Sequence, residues 1–127
     1  MVASTVSSKM LRVIGEAEGF TFHETLTGFK WIGNKAIELR SEGKTVLLGY
    51  EEAIGFCVGD VVPDKDGVSA APVFAEMAVN LYGRGLKVRD HLEALHRKYG
   101  ELVSNNHYFF VHDPVVVESL PLRMRWC

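Results

Sequence analysis

At 127 residues the chain is long enough to bury one hydrophobic core and too short for several, so a single domain is expected. An apolar content of 47% and a charged content of 24% are those of an ordinary water-soluble globular fold. The formal net charge of −2, with basic residues scattered, argues against nucleic acid or an anionic membrane as partner.

Val2 to Val6 reads as a short strand. Ser7 or Ser8 then caps a helix in which Met10, Leu11, Ile14 and Ala17 share one face, and Gly19 stops it. Phe20 to Leu26 carries a period-2 pattern and predicts a second strand. Thr27 can cap a further helix, with Phe29, Ile32, Ala36 and Leu39 as its apolar stripe and Gly43 as its end. The apolar run Thr45 to Tyr50, opened by Lys44, predicts a buried strand. Phe56 to Val62 is apolar but broken by Gly59 and Asp60, which suggests an irregular loop with room for a short strand.

Asp64-Lys65-Asp66-Gly67 is turn chemistry and leads into a helix over Ser69 to Tyr82. Pro72 conflicts with a helix that starts at Gly67 but fits one capped by Ser69, where it falls in the first turn. A second helix is expected over Val88 to Tyr99, ending at Gly100, and a strand over Tyr108 to Val111. The tail from Val115 starts helix-like, and Pro121 to Cys127 has no clear register. Strands alternating with helices argue for an α/β sandwich layered around a small sheet.

Glu51 and Glu52 stand where the Thr45–Tyr50 strand stops and the backbone turns at Gly55, and the carboxyl ends of strands in open α/β sheets are where ligands collect. Neighbouring residues at a strand end point to opposite sides, so only one of the pair is expected in a given pocket. A single carboxylate accepting hydrogen bonds from sugar or alcohol hydroxyls suits that geometry better than a two-carboxylate hydrolase; a solvated strand terminus is the plain alternative. Lys65, before a helix N-terminus, could meet a phosphate or carboxylate, or simply be a solvated turn lysine. Thr27-Gly28 offers a ligand a hydroxyl and an uncovered backbone N–H, or is a plain helix cap. His23, His91, His96, His107 and His112 lack metal-ligand spacing, and Cys57 reads as inert packing. Ser4, Ser7 and Ser8 look like helix capping. Two cysteines, Cys57 and Cys127, make no disulfide framework. No run nears the roughly 20 apolar residues of a membrane span and the N-terminus has no signal-peptide pattern, so a cytoplasmic protein is expected.

Three segments in register, Thr25-Leu26-Thr27-Gly28-Phe29-Lys30-Trp31-Ile32-Gly33-Asn34, Tyr50-Glu51-Glu52-Ala53-Ile54-Gly55 and Asp64-Lys65-Asp66-Gly67, resemble the third domain of the α-D-phosphohexomutases, in particular the phosphoglucomutase-2 branch that includes phosphopentomutase. The resemblance implies a three-layer α/β/α sandwich around a small mixed sheet over residues 1–113, with 114–127 a divergent C-terminal tail in place of the linker to a fourth domain. It also implies a four-domain enzyme, an intramolecular phosphotransferase (isomerase). In that enzyme a phosphoserine, an Asp-rich Mg²⁺ loop, a sugar-recognition loop and a phosphate-binding loop surround one cleft. Glu51 matches the sugar-loop glutamate, Thr27 and Gly28 the loop that closes on substrate, and Lys65 the lysine that approaches its phosphate. Ala53 departs from the serine many relatives carry, which suits a pentose phosphate or bisphosphate. The phosphoserine and metal loops do not match any segment, so a domain fragment without catalytic residues or a cofactor of its own is expected. It would bind a pentose or hexose phosphate and associate with other mutase domains. The alternative is a non-enzymatic interaction or regulatory module.

Overall fold

The strand Val2–Ser4 (β1) is buried along its whole length because it is hydrogen-bonded on both sides. The computed structural model describes residues 1–105, 107 and 110–124, without the side chain of Arg123. In chain order β1 is followed by α1 (Met10–Glu18), β2 (His23–Thr25), α2 (Phe29–Ser41), β3 (Leu48–Glu51), β4 (Gly55–Val58), α3 (Gly67–Gly83), α4 (Val88–Tyr99) and α5 (Pro114–Met124). The sheet order is β2-β1-β3-β4, with β1 parallel to β2 and β3 and with β4 antiparallel to β3.

The β1-α1-β2 and β2-α2-β3 crossovers travel in opposite directions along the sheet. Right-handed crossovers therefore place α1 and α2 on opposite faces. The main core lies under α2, where Phe29, Ile32, Ala36 and Leu39 meet Val2, Val46 and Cys57. On the other face α1 packs against α4, and α3 against β4 and α4. The result is the expected mixed α/β architecture with helices on both faces.

Several elements differ from expectation, each for a local reason. The Phe20–Leu26 strand shrinks to His23–Thr25, because Phe20 instead closes α1: its N–H and that of Gly19 both donate to the Gly15 carbonyl. Gly15 is buried against Phe20 while Ala17 is exposed, so the inward face of α1 is rotated from the expected one. The run Thr45–Tyr50 is not wholly buried; β3 alternates half-buried and buried residues, and Leu47 is 59% exposed. Phe56 lies in a true strand, β4, which pairs Leu48 with Val58 through to Glu51 with Gly55.

Helix α3 starts at Gly67, with Asp66 rather than Ser69 as its cap; the Asp66 carboxylate accepts from Val68 N–H at 2.9 Å. Pro72 thus stands inside the helix, where its missing N–H leaves the Val68 carbonyl without the usual partner. Helix α4 has the expected limits. The tail is helical to Met124 through Pro121, started by Pro114 after an Asp113 carboxylate that accepts from Val115 N–H at 2.9 Å. Phe110 and Val111 form no regular structure, and the rest of the expected Tyr108–Val111 strand lies outside the described residues, as do Arg125 to Cys127.

Candidate functional site

The carboxyl ends of β1, β2 and β3 open on one edge of the sheet. The chain leaves β1 towards β2 on one side and reaches β3 on the other, which leaves a crevice at their ends, the usual ligand position in such sheets. Ser4, the Thr27-Gly28 approach to α2, and Glu51 all gather there.

Glu51 is the last residue of β3 and lies on the α2 side of the sheet, two residues from Gly49, which touches Ile32. It is 6% exposed. A carboxylate buried to that extent needs partners, and both oxygens have one. Oε2 accepts from the Gly28 N–H at 2.9 Å, and Oε1 is paired with Lys65 Nζ. Gly28, not Thr27, is the N-cap of α2, and its φ of 100° aims a free backbone N–H at the carboxylate. The positive end of the helix adds to the attraction. Thr27 makes no cap bond and stands exposed at the crevice.

Lys65 arrives from the turn before α3, with its ammonium 5.9 Å from the Phe29 ring centroid. Gly55 lets it pass: a Cβ there would meet Lys65 Cε at 2.7 Å and Phe29 Cε2 at 2.8 Å. The Asp66 cap anchors this turn from the helix side, and hydrogen bonding from the Ser69 hydroxyl holds the Asp66 carboxyl below the usual carboxylate range. The Asp66 N–H in turn donates to the Phe56 carbonyl at 2.8 Å, which ties the turn to β4.

Glu52 does not diverge from Glu51 as two strand neighbours would, because it has already left the strand. Ile54, at φ 55°, closes the three-residue turn between β3 and β4. Glu52 instead reaches β1, where its Oε2 accepts from Ser4 Oγ at 2.7 Å and Ser7 Oγ at 3.4 Å, with the two serine oxygens 2.8 Å apart. Both carboxylates, with Thr27, Gly28, Ala53 and Val6, line one recess of about 520 Å³. Asn105 and His107 line it as well. Lys65 does not line it; it reaches Glu51 from the α3 side.

None of the three serines is the cap expected of Ser7 or Ser8: the N-cap of α1 is Lys9, which makes no side-chain cap bond, and Ser8, one residue earlier, accepts from Met10 N–H at 3.3 Å. No local pattern signals the role of Ser4 and Ser7, because they meet Glu52 across 45 or more positions of chain. Asn105 and His107 likewise sit in a stretch with no periodicity. Cys57 is 1% exposed, and its thiol donates to the Val62 carbonyl at 3.0 Å, which suits packing. Among the described residues no group of three or more His, Cys, Asp or Glu side chains could hold a metal ion, and none of the helices is long and apolar enough to cross a membrane.

The recess thus presents the Glu51 and Glu52 carboxylates, both hydrogen-bond acceptors, and the Lys65 ammonium stands on the far side of Glu51. The fold is an α/β/α domain with a polar crevice at the carboxyl ends of its parallel strands. The chain belongs to the family phosphoglucomutase/phosphomannomutase, alpha/beta/alpha domain III, whose model matches residues 1–99. It is 49% identical to phosphopentomutase of Mus musculus over 120 residues, and 48% identical to glucose 1,6-bisphosphate synthase of Homo sapiens over 125 residues. Those matches cover 94% and 98% of this chain but 19% and 20% of the relatives. Phosphoribomutase of Saccharomyces cerevisiae is 42% identical over 121 residues, covering 94% of this chain and 20% of its own length. The chain thus spans about a fifth of the relatives it matches. Among solved structures, the phosphoglucomutase pp63/parafusin from Paramecium in its open form superposes with a TM-score of 0.64 at 20% identity, over 79% of this chain and 17% of its own. That likeness supports the fold.

Proposed function

We propose that this chain is the sugar-phosphate recognition domain of a phosphopentomutase-like enzyme, with residues 1–113 as the domain and 114–127 as an appended tail. The observation that carries it is the convergence of Glu51, the Gly28 N–H and Lys65 at the crevice of the sheet. The Lys65 ammonium, on its flexible stem and 45% exposed, can turn to a phosphate, which frees Glu51 Oε1 to accept from a sugar hydroxyl while the Gly28 N–H keeps Oε2 in place. Thr27 and Gly28 would close over the bound sugar.

In the whole enzyme, phosphoryl transfer would pass through a phosphoserine and a Mg²⁺ loop on other domains. The residues described here do not fit Mg²⁺: Glu51 and Glu52 are the two carboxylates that line the recess, and among the described residues no group of three or more His, Cys, Asp or Glu side chains could hold a metal ion. The chain alone is therefore expected to bind without turnover, in the cytoplasm, beside further mutase domains rather than nucleic acid or membrane. A second reading, an interaction or regulatory module, is favoured by the open apolar face of α3, where Val68, Phe74 and Val79 are 85%, 57% and 70% exposed.

Calorimetric titration of the chain with ribose 1-phosphate separates the two. Recognition predicts saturable binding, no ribose 5-phosphate formed, and affinity lowered about tenfold or more in Glu51→Gln, the scale of one charged hydrogen bond. Equal affinity in Glu51→Gln would remove Glu51 from the site, and no binding by the wild-type chain would leave the interaction module standing.

A further inference from the structure

We propose that Glu52 is a second ligand-binding carboxylate of the site, presenting Oε1 to a sugar hydroxyl while Ser4 and Ser7 hold Oε2. This rests on the sugar-phosphate reading above and deepens it. The two glutamates differ in how much of each remains to be used. Glu51 spends both oxygens inside the protein, on the Gly28 N–H and on Lys65. Glu52 spends one: Ser4 Oγ at 2.7 Å and Ser7 Oγ at 3.4 Å both address Oε2, and among the described residues Oε1 has no hydrogen-bond partner. Glu52 is half-buried and lines the same recess as Glu51, Thr27 and Gly28.

The serine pair is a built support rather than a surface accident. Ser4 is 1% exposed and Ser7 5%, and their hydroxyls are 2.8 Å apart. Two buried hydroxyls need an acceptor. Glu52 supplies it, and in exchange its torsions are fixed before any ligand arrives. A carboxylate fixed in this way loses little conformational freedom on binding. Ala53 beside it has no polar side-chain atom, so at the turn Glu52 is the residue able to recognise a hydroxyl.

Electrostatics makes the test specific. Removing a negative charge from the recess favours any anion, so a purely electrostatic role predicts tighter binding of phosphate ligands after neutralisation. A ligand-accepting carboxylate predicts the opposite for a sugar phosphate. Glu52→Gln keeps an acceptor for the serines and loses the charged acceptor facing the recess. We expect it to bind ribose 1-phosphate about tenfold more weakly while inorganic phosphate binds no more weakly than to the wild type. Equal or tighter binding of ribose 1-phosphate to Glu52→Gln overturns the proposal while leaving the recognition function intact, provided Glu51→Gln weakens it. Absence of ribose 1-phosphate binding by the wild-type chain overturns both. The unaltered protein gives a check that needs no variant: the Glu52 carboxyl carbon resonance should move on adding ribose 1-phosphate and stay in place on adding inorganic phosphate. A static resonance in the presence of bound sugar phosphate also overturns the proposal.

Discussion

Ile54 holds φ at 55° in the turn that delivers Glu52 to β1, a backbone region β-branched residues enter only under strain. Its side chain is 83% exposed, so little burial offsets that cost. Left-handed backbone costs an L-residue about 1–2 kcal/mol, and glycine's added unfolded-state freedom returns roughly 0.5–1 of it. Ile54→Gly should therefore stabilise the chain by about 1 kcal/mol, read as a higher urea midpoint with unchanged slope; a loss of similar size would show that the isoleucine side chain is packed after all. Single residues were also where the sequence was most and least legible. Glu51 announces itself as charge at the end of an apolar run. Its neighbour misleads, because alternation along a strand sends Glu52 away from Glu51 and the true geometry begins one residue past the strand. Nor does anything local tie Ser4 to Glu52, 48 positions away.

Among the elements, α2 was legible in full on its buried side: Phe29, Ile32, Ala36 and Leu39 at helical spacing are all buried. Its start was not, because Thr27 is the better capping residue by type, yet Gly28 takes the position at a φ of 100°. Helix α3 shows the reverse. Pro72 was visible as a conflict, and the structure keeps the conflict by starting the helix at Asp66 and Gly67, where the turn carrying Lys65 is tied to β4. An interior proline costs a helix about 3 kcal/mol, part of which its stiffer unfolded chain offsets. Pro72 is exposed, so Pro72→Ala forfeits no core packing and should stabilise the chain by about 2 kcal/mol, measured by thermal melting. A lower melting temperature would mean that the bend at Pro72 is needed to seat α3 on β4.

For the molecule as a whole, the alternation of strands and helices was enough to state an α/β sandwich, but not the sheet order, which follows from long-range pairing. That order matters because it puts the ends of β1 and β3 side by side and so makes a single recess lined by residues between Val6 and His107. Beyond it lies a second hollow of about 670 Å³ between the β3–β4 hairpin and α3, lined by apolar side chains such as Leu48, Phe56, Val73, Phe74 and Met77. The polar recess and the apolar hollow are thus separated in space, on either side of the Glu51–Lys65 pair. Of the two hollows, the polar recess is the one we propose binds a sugar phosphate. An amide NMR titration of the chain with ribose 1-phosphate tests it most directly. The backbone signals of Gly28, Glu51 and Glu52 should shift together and saturate while those of α4 and α5 stay in place; no shift there, or shifts confined to the apolar hollow beside α3, would contradict it.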